Sequence, residues 1–276
     1  MQRLQVLFTH AIFISCCAVA LAIETSRVLH IQTGFEVYLL IFLSTCCSYN
    51  LYRLISLFPF QQLSGGLRFL RQQVTSVILF LFCAGGMIGC MLQEPALWVY
   101  VILATVLTIG YCLPLLPLSF SAVFQRAGYL KTILLAGTWA FVTVFWPVAS
   151  DGSHDGKIVW ILFLQRFSFM FILCIIFDAR DLKTDLLRSL GSLVTSVSRT
   201  SLQVITILSF VCYMSLSILL SLHLRHPSLA VAWGFTGLAT WFLYRFSHRQ
   251  QGYWFYYFGV DGLMLLSALA TFLATN

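Results

Sequence analysis

Charge is what this sequence has least of. Only 9% of its 276 residues are charged, with 9 Asp and Glu against 16 Lys and Arg. A soluble domain of that length cannot clothe its surface with so few charges, so a soluble globular protein is excluded. The nine cysteines contain no CxxC, and no Cys/His cluster has zinc-ligand spacing. Most lie inside apolar runs, and the neighbouring pairs Cys16-Cys17 and Cys46-Cys47 cannot bridge each other without strain. A disulfide framework and a zinc site are therefore both excluded, and the cysteines read as small packing residues. The basic residues are dispersed among short loops, which argues against nucleic-acid binding. No cleavage site follows the first apolar run, so that run is expected to be a first membrane helix and not a removed signal.

What is present is apolar. Hydrophobic residues make up 60% of the chain, and the mean hydropathy is +0.91. About 20 apolar residues cross a bilayer. Stretches of that kind occur at 5–24, 35–57, 74–92, 96–118, 130–149, 158–177, 203–221, 228–246 and 254–274. The expected fold is all-α: a single polytopic membrane domain, 1–276, of nine transmembrane helices. Cytoplasmic loops are enriched in Lys and Arg. Placing the N-terminus inside puts Arg3, Arg53, Arg68, Arg71, Arg126, Lys131, Arg180, Lys183, Arg188, Arg199, Arg245 and Arg249 on the cytoplasmic side. Only Arg27, Lys157 and Arg225 are left outside, twelve against three, which sets the orientation.

The acids are distributed the other way. Glu24, Glu36, Glu94, Asp151 and Asp155 fall at or near the outer ends of spans, and Asp261 lies within the last one. The acids left for the cytoplasmic loops are Asp178, Asp181 and Asp185, directly after the apolar run 161–177. On a helix these three positions lie within roughly 60° of one another. Like charges that close repel unless a cation sits among them, and oxygen ligands at that density suit Mg²⁺ shared with a phosphate-bearing ligand. The alternative is a solvated helix start, where acids favour the dipole. A side otherwise purged of carboxylate favours the ligand reading.

Nine helices with Asp178-x-x-Asp181-x-x-x-Asp185 after the sixth resemble the UbiA superfamily of intramembrane prenyltransferases, whose second aspartate-rich motif this triplet is similar to. Tyr111-x-x-Pro114, then Arg126 and Lys131, resembles the superfamily's cationic loop between helices 4 and 5. The stretch 48–54 occupies the place of the first aspartate-rich motif, NDxxD, but only Asn50 matches; Leu51 and Leu54 stand where the aspartates would be. A TxP stretch after the second motif is also missing, with Leu187-Arg188-Ser189-Leu190-Gly191 in that region.

The resemblance implies Mg²⁺-dependent transfer of a prenyl group from an isoprenoid diphosphate to a lipophilic acceptor, aromatic ones included. Asp178, Asp181 and Asp185 would hold the metal and act in catalysis. Asn50, Arg53, Arg126, Lys131 and Tyr111 would bind the diphosphate. An allylic cation needs a dry pocket with aromatic walls, for which Tyr111, Trp139, Phe167, Phe169, Phe171, Tyr253, Trp254, Tyr256 and Tyr257 are candidates, with lipid-facing bulk or an interfacial belt as the alternative for each. Arg53 reads equally as a diphosphate contact replacing a second metal or as a positive-inside anchor. Arg166 and Asp261 are the ionisable residues deepest in the spans. A structural ion pair between them is expected, with a role for either in acceptor binding as the alternative. Two further readings stay open: a terpene cyclase on the same scaffold, and a non-catalytic isoprenoid-binding protein. The expected location is a bacterial inner membrane with the N-terminus cytoplasmic.

Overall fold

The structure is a computed structural model that describes residues 11–57, 73–112, 128–151, 155–187, 192–247, 251–252 and 254–275. Described in chain order, the helices are α1 (Ile12–Val28), α2 (Phe35–Leu57), α3 (Val74–Gln93), α4 (Trp98–Cys112) and α5 (Gly128–Asp151). There follow α6 (Gly156–Leu187), the single turn α7 (Leu193–Ser196), α8 (Arg199–Leu224), α9 (Pro227–Ser247) and α10 (Asp261–Thr275). A 3₁₀ turn, Pro95–Leu97, leads into α4, and a π-helical turn, Phe255–Val260, leads into α10. No strand occurs among the described residues.

Seven of the described helical segments are long and apolar enough to cross a membrane. They are Phe35–Leu57, Val74–Gln93, Pro95–Cys112, Tyr129–Asp151, Gly156–Leu182, Arg199–Leu224 and Phe255–Thr275. The expected spans around α1 and α9 are helical, but they fall outside those seven. Seven of the nine expected crossings are thus met among the described residues. The chain is an all-α, polytopic membrane protein.

Neighbours in sequence pack as neighbours in space: α2 on α3, α4 on α5, α5 on α6, α8 on α9 and α9 on α10. Two long-range contacts close the bundle. Helix α8 lies against α6, and α10 returns to α1, which also touches α2 and α5. The large side chains of α3 and α4, such as Leu81, Phe82, Ile88, Leu92, Val99 and Ile102, stay exposed, as a lipid-facing surface requires. Polar groups lie inside instead. Thr143, Thr206, Thr236 and Thr240 are buried and return their hydroxyls to the carbonyl one turn back, which satisfies them where no water reaches.

The aspartate stretch is not a loop after a span. Helix α6 runs 32 residues without interruption through it to Leu187. No glycine or proline interrupts the chain between Gly156 and Leu187, and Ala, Arg, Leu and Lys all sit well in a helix. The one-turn α7 then packs back on α5 and α6. It is capped by Ser192 and Thr195 in a reciprocal pair, with the Ser192 N–H donating to Thr195 Oγ1 at 2.7 Å.

The expected Arg166–Asp261 ion pair does not form. Arg166, 1% exposed, donates through Nη1 to Glu24 Oε2 at 2.9 Å. Glu24 Oε1 accepts from Trp233 Nε1 at 2.9 Å and from the hydroxyls of Ser267 and Thr271, each at 3.1 Å. One carboxylate thus ties α1, α6, α9 and α10 together. Comparing distances to span ends misjudged the depth: Asp261 lines one cavity with Cys174, and Arg166 lies eight residues (174 minus 166) further along α6, about 12 Å.

Candidate functional site

The C-terminal ends of α2, α4 and α6 and the N-terminal ends of α5 and α10 hold most of the residues singled out from the sequence. Asp178, 8% exposed, faces α5, where Thr132 Oγ1 donates to its Oδ2 at 2.6 Å. Lys131 precedes that threonine. Its charge acts on Cys174, one turn deeper on α6, and so does that of Asp178.

Asp181 is turned to a different partner. Arg180 Nε donates to its Oδ1 at 2.8 Å and Nη2 to its Oδ2 at 2.9 Å, a fork-on-fork pair between consecutive residues. The same guanidinium lies over the rings of Phe177, Tyr256 and Tyr257, with centroids at 4.8, 5.3 and 5.1 Å. The aromatic faces come from α6 and from the π-helical turn ahead of α10. Their negative quadrupoles hold the cation in place. Nη1 of Arg180 is buried with no hydrogen-bond partner.

On α2, Asn50 is buried and donates from Nδ2 to the Cys46 carbonyl at 2.8 Å. Tyr52 stacks on Tyr111 of α4 at 5.1 Å. Arg53 is half-buried on the same last turns of α2. Arg126 and the side chain of Asp185 lie outside the described residues. The structure therefore brings Asp178 against Thr132, the neighbour of Lys131 in sequence, and Tyr111 against Tyr52, on the segment that carries Asn50 and Arg53. Of the described aspartates, Asp178 and Asp181 are turned to different partners.

Beneath Asp178 is a cavity of about 30 Å³ lined by Ile14, Tyr49, Leu135, Trp139, Met170, Leu173, Cys174, Phe177, Asp261 and Met264. It is apolar but for Asp261 and the hydroxyl of Tyr49. Tyr49 meets Trp139 edge-on at 6.3 Å. Five helices, α1, α2, α5, α6 and α10, contribute to its wall.

Mg²⁺ is bound through one or two carboxylates completed by substrate phosphates and water, so the oxygen donors at this end of α6 are of the right chemistry. No group of three or more His, Cys, Asp or Glu side chains converges among the described residues. Both oxygens of Asp181 are engaged by Arg180, and one oxygen of Asp178 by Thr132. Asp178, held by Thr132, and Asp181, forked by Arg180, are the described carboxylates at this end of α6. Thr132 and Arg180 were not foreseen in these roles. Arg180 had a signal in plain view, a cation between the first two aspartates; Thr132 had none, being one of three threonines on an apolar helix.

No family model matches the chain, and no curated protein does. A solved structure of digeranylgeranylglyceryl phosphate synthase in membranes does match, over 100% of this chain and 99% of that one, with a TM-score of 0.60 and 15% sequence identity. At that identity the likeness speaks for the fold, and it extends over the whole length of both chains. The chain has the fold of that membrane synthase.

Proposed function

We propose that the protein transfers a prenyl group from an isoprenoid diphosphate to a lipophilic acceptor inside the membrane. The observation that carries this reading is one juxtaposition in a prenyltransferase fold. A buried carboxylate, Asp178, lies one turn beyond Cys174 of an aromatic-walled cavity and meets the turn of α5 that carries Lys131.

Breaking the C1–O bond of an allylic diphosphate sends the electron pair to the leaving diphosphate and leaves a cation at C1. Stabilising charge as it develops is the largest lever available to the site. Lys131, Arg53 and Arg126 supply fixed positive charge to the diphosphate, with Asn50 and Tyr111 as polar contacts. Magnesium, held by Asp178, Asp181 and Asp185 together with the phosphates, would neutralise the leaving group when bound. Thr132 holds the Asp178 carboxylate in one orientation through its Oδ2. The apolar cavity excludes water, and Tyr49, Trp139 and Phe177 offer ring faces to the cation. The acceptor's lone pair then forms the new bond to C1.

A second reading is favoured by one specific feature: Leu51 and Leu54 replace the first motif's aspartates, while Arg180 engages Asp181. That arrangement would suit a protein that binds an isoprenoid without reacting it. The two readings part on diphosphate release. Purified protein is incubated with Mg²⁺ and geranyl, farnesyl or geranylgeranyl diphosphate, and liberated diphosphate is measured. Turnover that falls by at least about 100-fold in Asp178→Asn supports catalysis. Binding without release at every chain length leaves the scaffold.

A further inference from the structure

The C-terminal ends of α1, α8 and α10 form a cluster that prenyl transfer leaves unused. Helices α1 and α8 finish in the same backbone turn. After α1, the His30 N–H donates to the Arg27 carbonyl at 3.2 Å and the Ile31 N–H to that of Ser26 at 2.8 Å. After α8, the Arg225 N–H donates to the Leu222 carbonyl at 3.2 Å and the His226 N–H to that of Ser221 at 3.1 Å. Such a turn needs one residue in the left-handed region, and glycine fills that position most often. Here it is filled by His30, at φ 54°, and by Arg225, at φ 55°, although a side chain is strained there. The two turns meet: the rings of His30 and His226 are 6.2 Å apart and tilted by 50°. Arg27 lies over the ring of Phe272 at 4.4 Å, and Ser228, at the start of α9, donates to the Ala274 carbonyl at 2.8 Å, which brings the end of α10 to the same corner.

Of the three cations expected on the outer face, Arg27, Lys157 and Arg225, two stand at this one corner beside both imidazoles, and all four side chains here are exposed. Helices α8 and α9 contain no acid, Glu24 of α1 is buried against Arg166, and Asp261 is at the other end of α10. The charge of Glu36, the next acid along the chain, reaches Cys90 on α3. A helix dipole accounts for a cation at a helix end. It does not account for side chains held in two strained positions, nor for imidazoles of separate turns placed together. One turn back from Arg27 and His226, Ile23 and Leu222 are exposed, as is Phe272. We propose that this corner binds the phosphate of an anionic phospholipid in the adjoining leaflet. The Arg225 guanidinium and the ring N–H groups of His30 and His226 donate to the phosphate oxygens, and Arg27 adds its charge beside them. The acyl chains lie along Ile23, Leu222 and Phe272. A zwitterionic headgroup carries its own cation into the same basic corner and is bound more weakly.

The experiment titrates the protein, in dodecyl maltoside, with dioleoylphosphatidylglycerol, dioleoylphosphatidylcholine or inorganic phosphate, and counts bound lipid by native mass spectrometry. The wild type should hold a phosphatidylglycerol at least about five-fold more tightly than phosphatidylcholine, the scale set by one basic side chain near a lipid surface. Inorganic phosphate should not displace it. His30→Gly/Arg225→Gly removes two donors and puts glycine in both left-handed positions. Its melting temperature without lipid should be unchanged or higher, while one tightly held phosphatidylglycerol is lost. Lys157→Gln removes the remaining outer cation and should keep that lipid. Should the double glycine variant not fold, Arg225→Gln/His226→Gln is read in its place, with the same loss expected. The proposal is overturned if the wild type does not distinguish the two lipids, or if the variant that folds keeps its phosphatidylglycerol. It is also overturned if Lys157→Gln loses the lipid as well. Displacement by inorganic phosphate at equal concentration would make the corner a site for the free anion and overturn the lipid assignment. None of these outcomes depends on diphosphate release, so prenyl transfer and lipid binding stand or fall separately.

Discussion

Replacing Arg166 by Met removes one cation and leaves Glu24 as a carboxylate buried among α1, α6, α9 and α10. Three neutral donors would remain on it, the Trp233 indole and the Ser267 and Thr271 hydroxyls, all on Oε1. Its other oxygen, Oε2, would have lost the guanidinium it now meets at 2.9 Å. Breaking a buried pair from one side costs about 3–5 kcal/mol, because the abandoned charge stays in low dielectric. For a chain of this size that corresponds to a fall of roughly 10 °C in melting temperature. Glu24→Gln should be comparably harmful, since Arg166 already has Nε and Nη2 without partners and would lose its one ionic contact. The double variant Glu24→Gln/Arg166→Met should recover most of the loss, for it leaves a neutral amide whose oxygen still accepts from Trp233, Ser267 and Thr271. Thermal unfolding in detergent, followed by tryptophan fluorescence, reads all four proteins. Additive losses in the double variant would refute the pairing, as would an unchanged melting temperature in Arg166→Met. Asp261→Asn combined with Arg166→Met should be additive, because Asp261 belongs to a different cavity.

Three further outcomes are expected. Thr132→Val keeps the shape but removes the hydroxyl on Asp178; stability should drop by about 1 kcal/mol, and turnover by more than the melting temperature accounts for, read as kcat against Tm. Arg180→Gln should release Asp181 from its fork and raise the apparent Mg²⁺ affinity, measured by the metal dependence of diphosphate release; an unchanged dependence would make Arg180 a purely structural clamp. Cysteines engineered at 184 and at 276, on a background freed of reactive thiols, should label from opposite sides of the membrane, and labelling of both from one side would sink the orientation drawn from charge.

Hydropathy and charge determined a great deal by themselves. A chain with 60% hydrophobic and 9% charged residues has no option but the membrane, and helices are what an uninterrupted apolar chain forms there. The place of Asp178 at the polar end of an apolar helix was likewise legible, since nothing between Gly156 and Leu187 breaks the helix. A polytopic helical fold of the prenyl-transferring kind was expected from that motif, and the match to a membrane synthase over the full chain length bears out the fold. What one-dimensional reading could not supply was azimuth, the face each helix turns to each neighbour. Depth along a span put Arg166 opposite Asp261, but packing gave Arg166 to Glu24, 142 residues earlier in the chain. The same is true of Thr132 and Asp178, on adjacent helices, and of Arg180 and the rings of Tyr256 and Tyr257, carried on a turn that only closes on α6 once α10 has returned to α1. A side chain's partner is chosen by the bundle, because in lipid every buried polar group must be satisfied by whichever helix lies beside it.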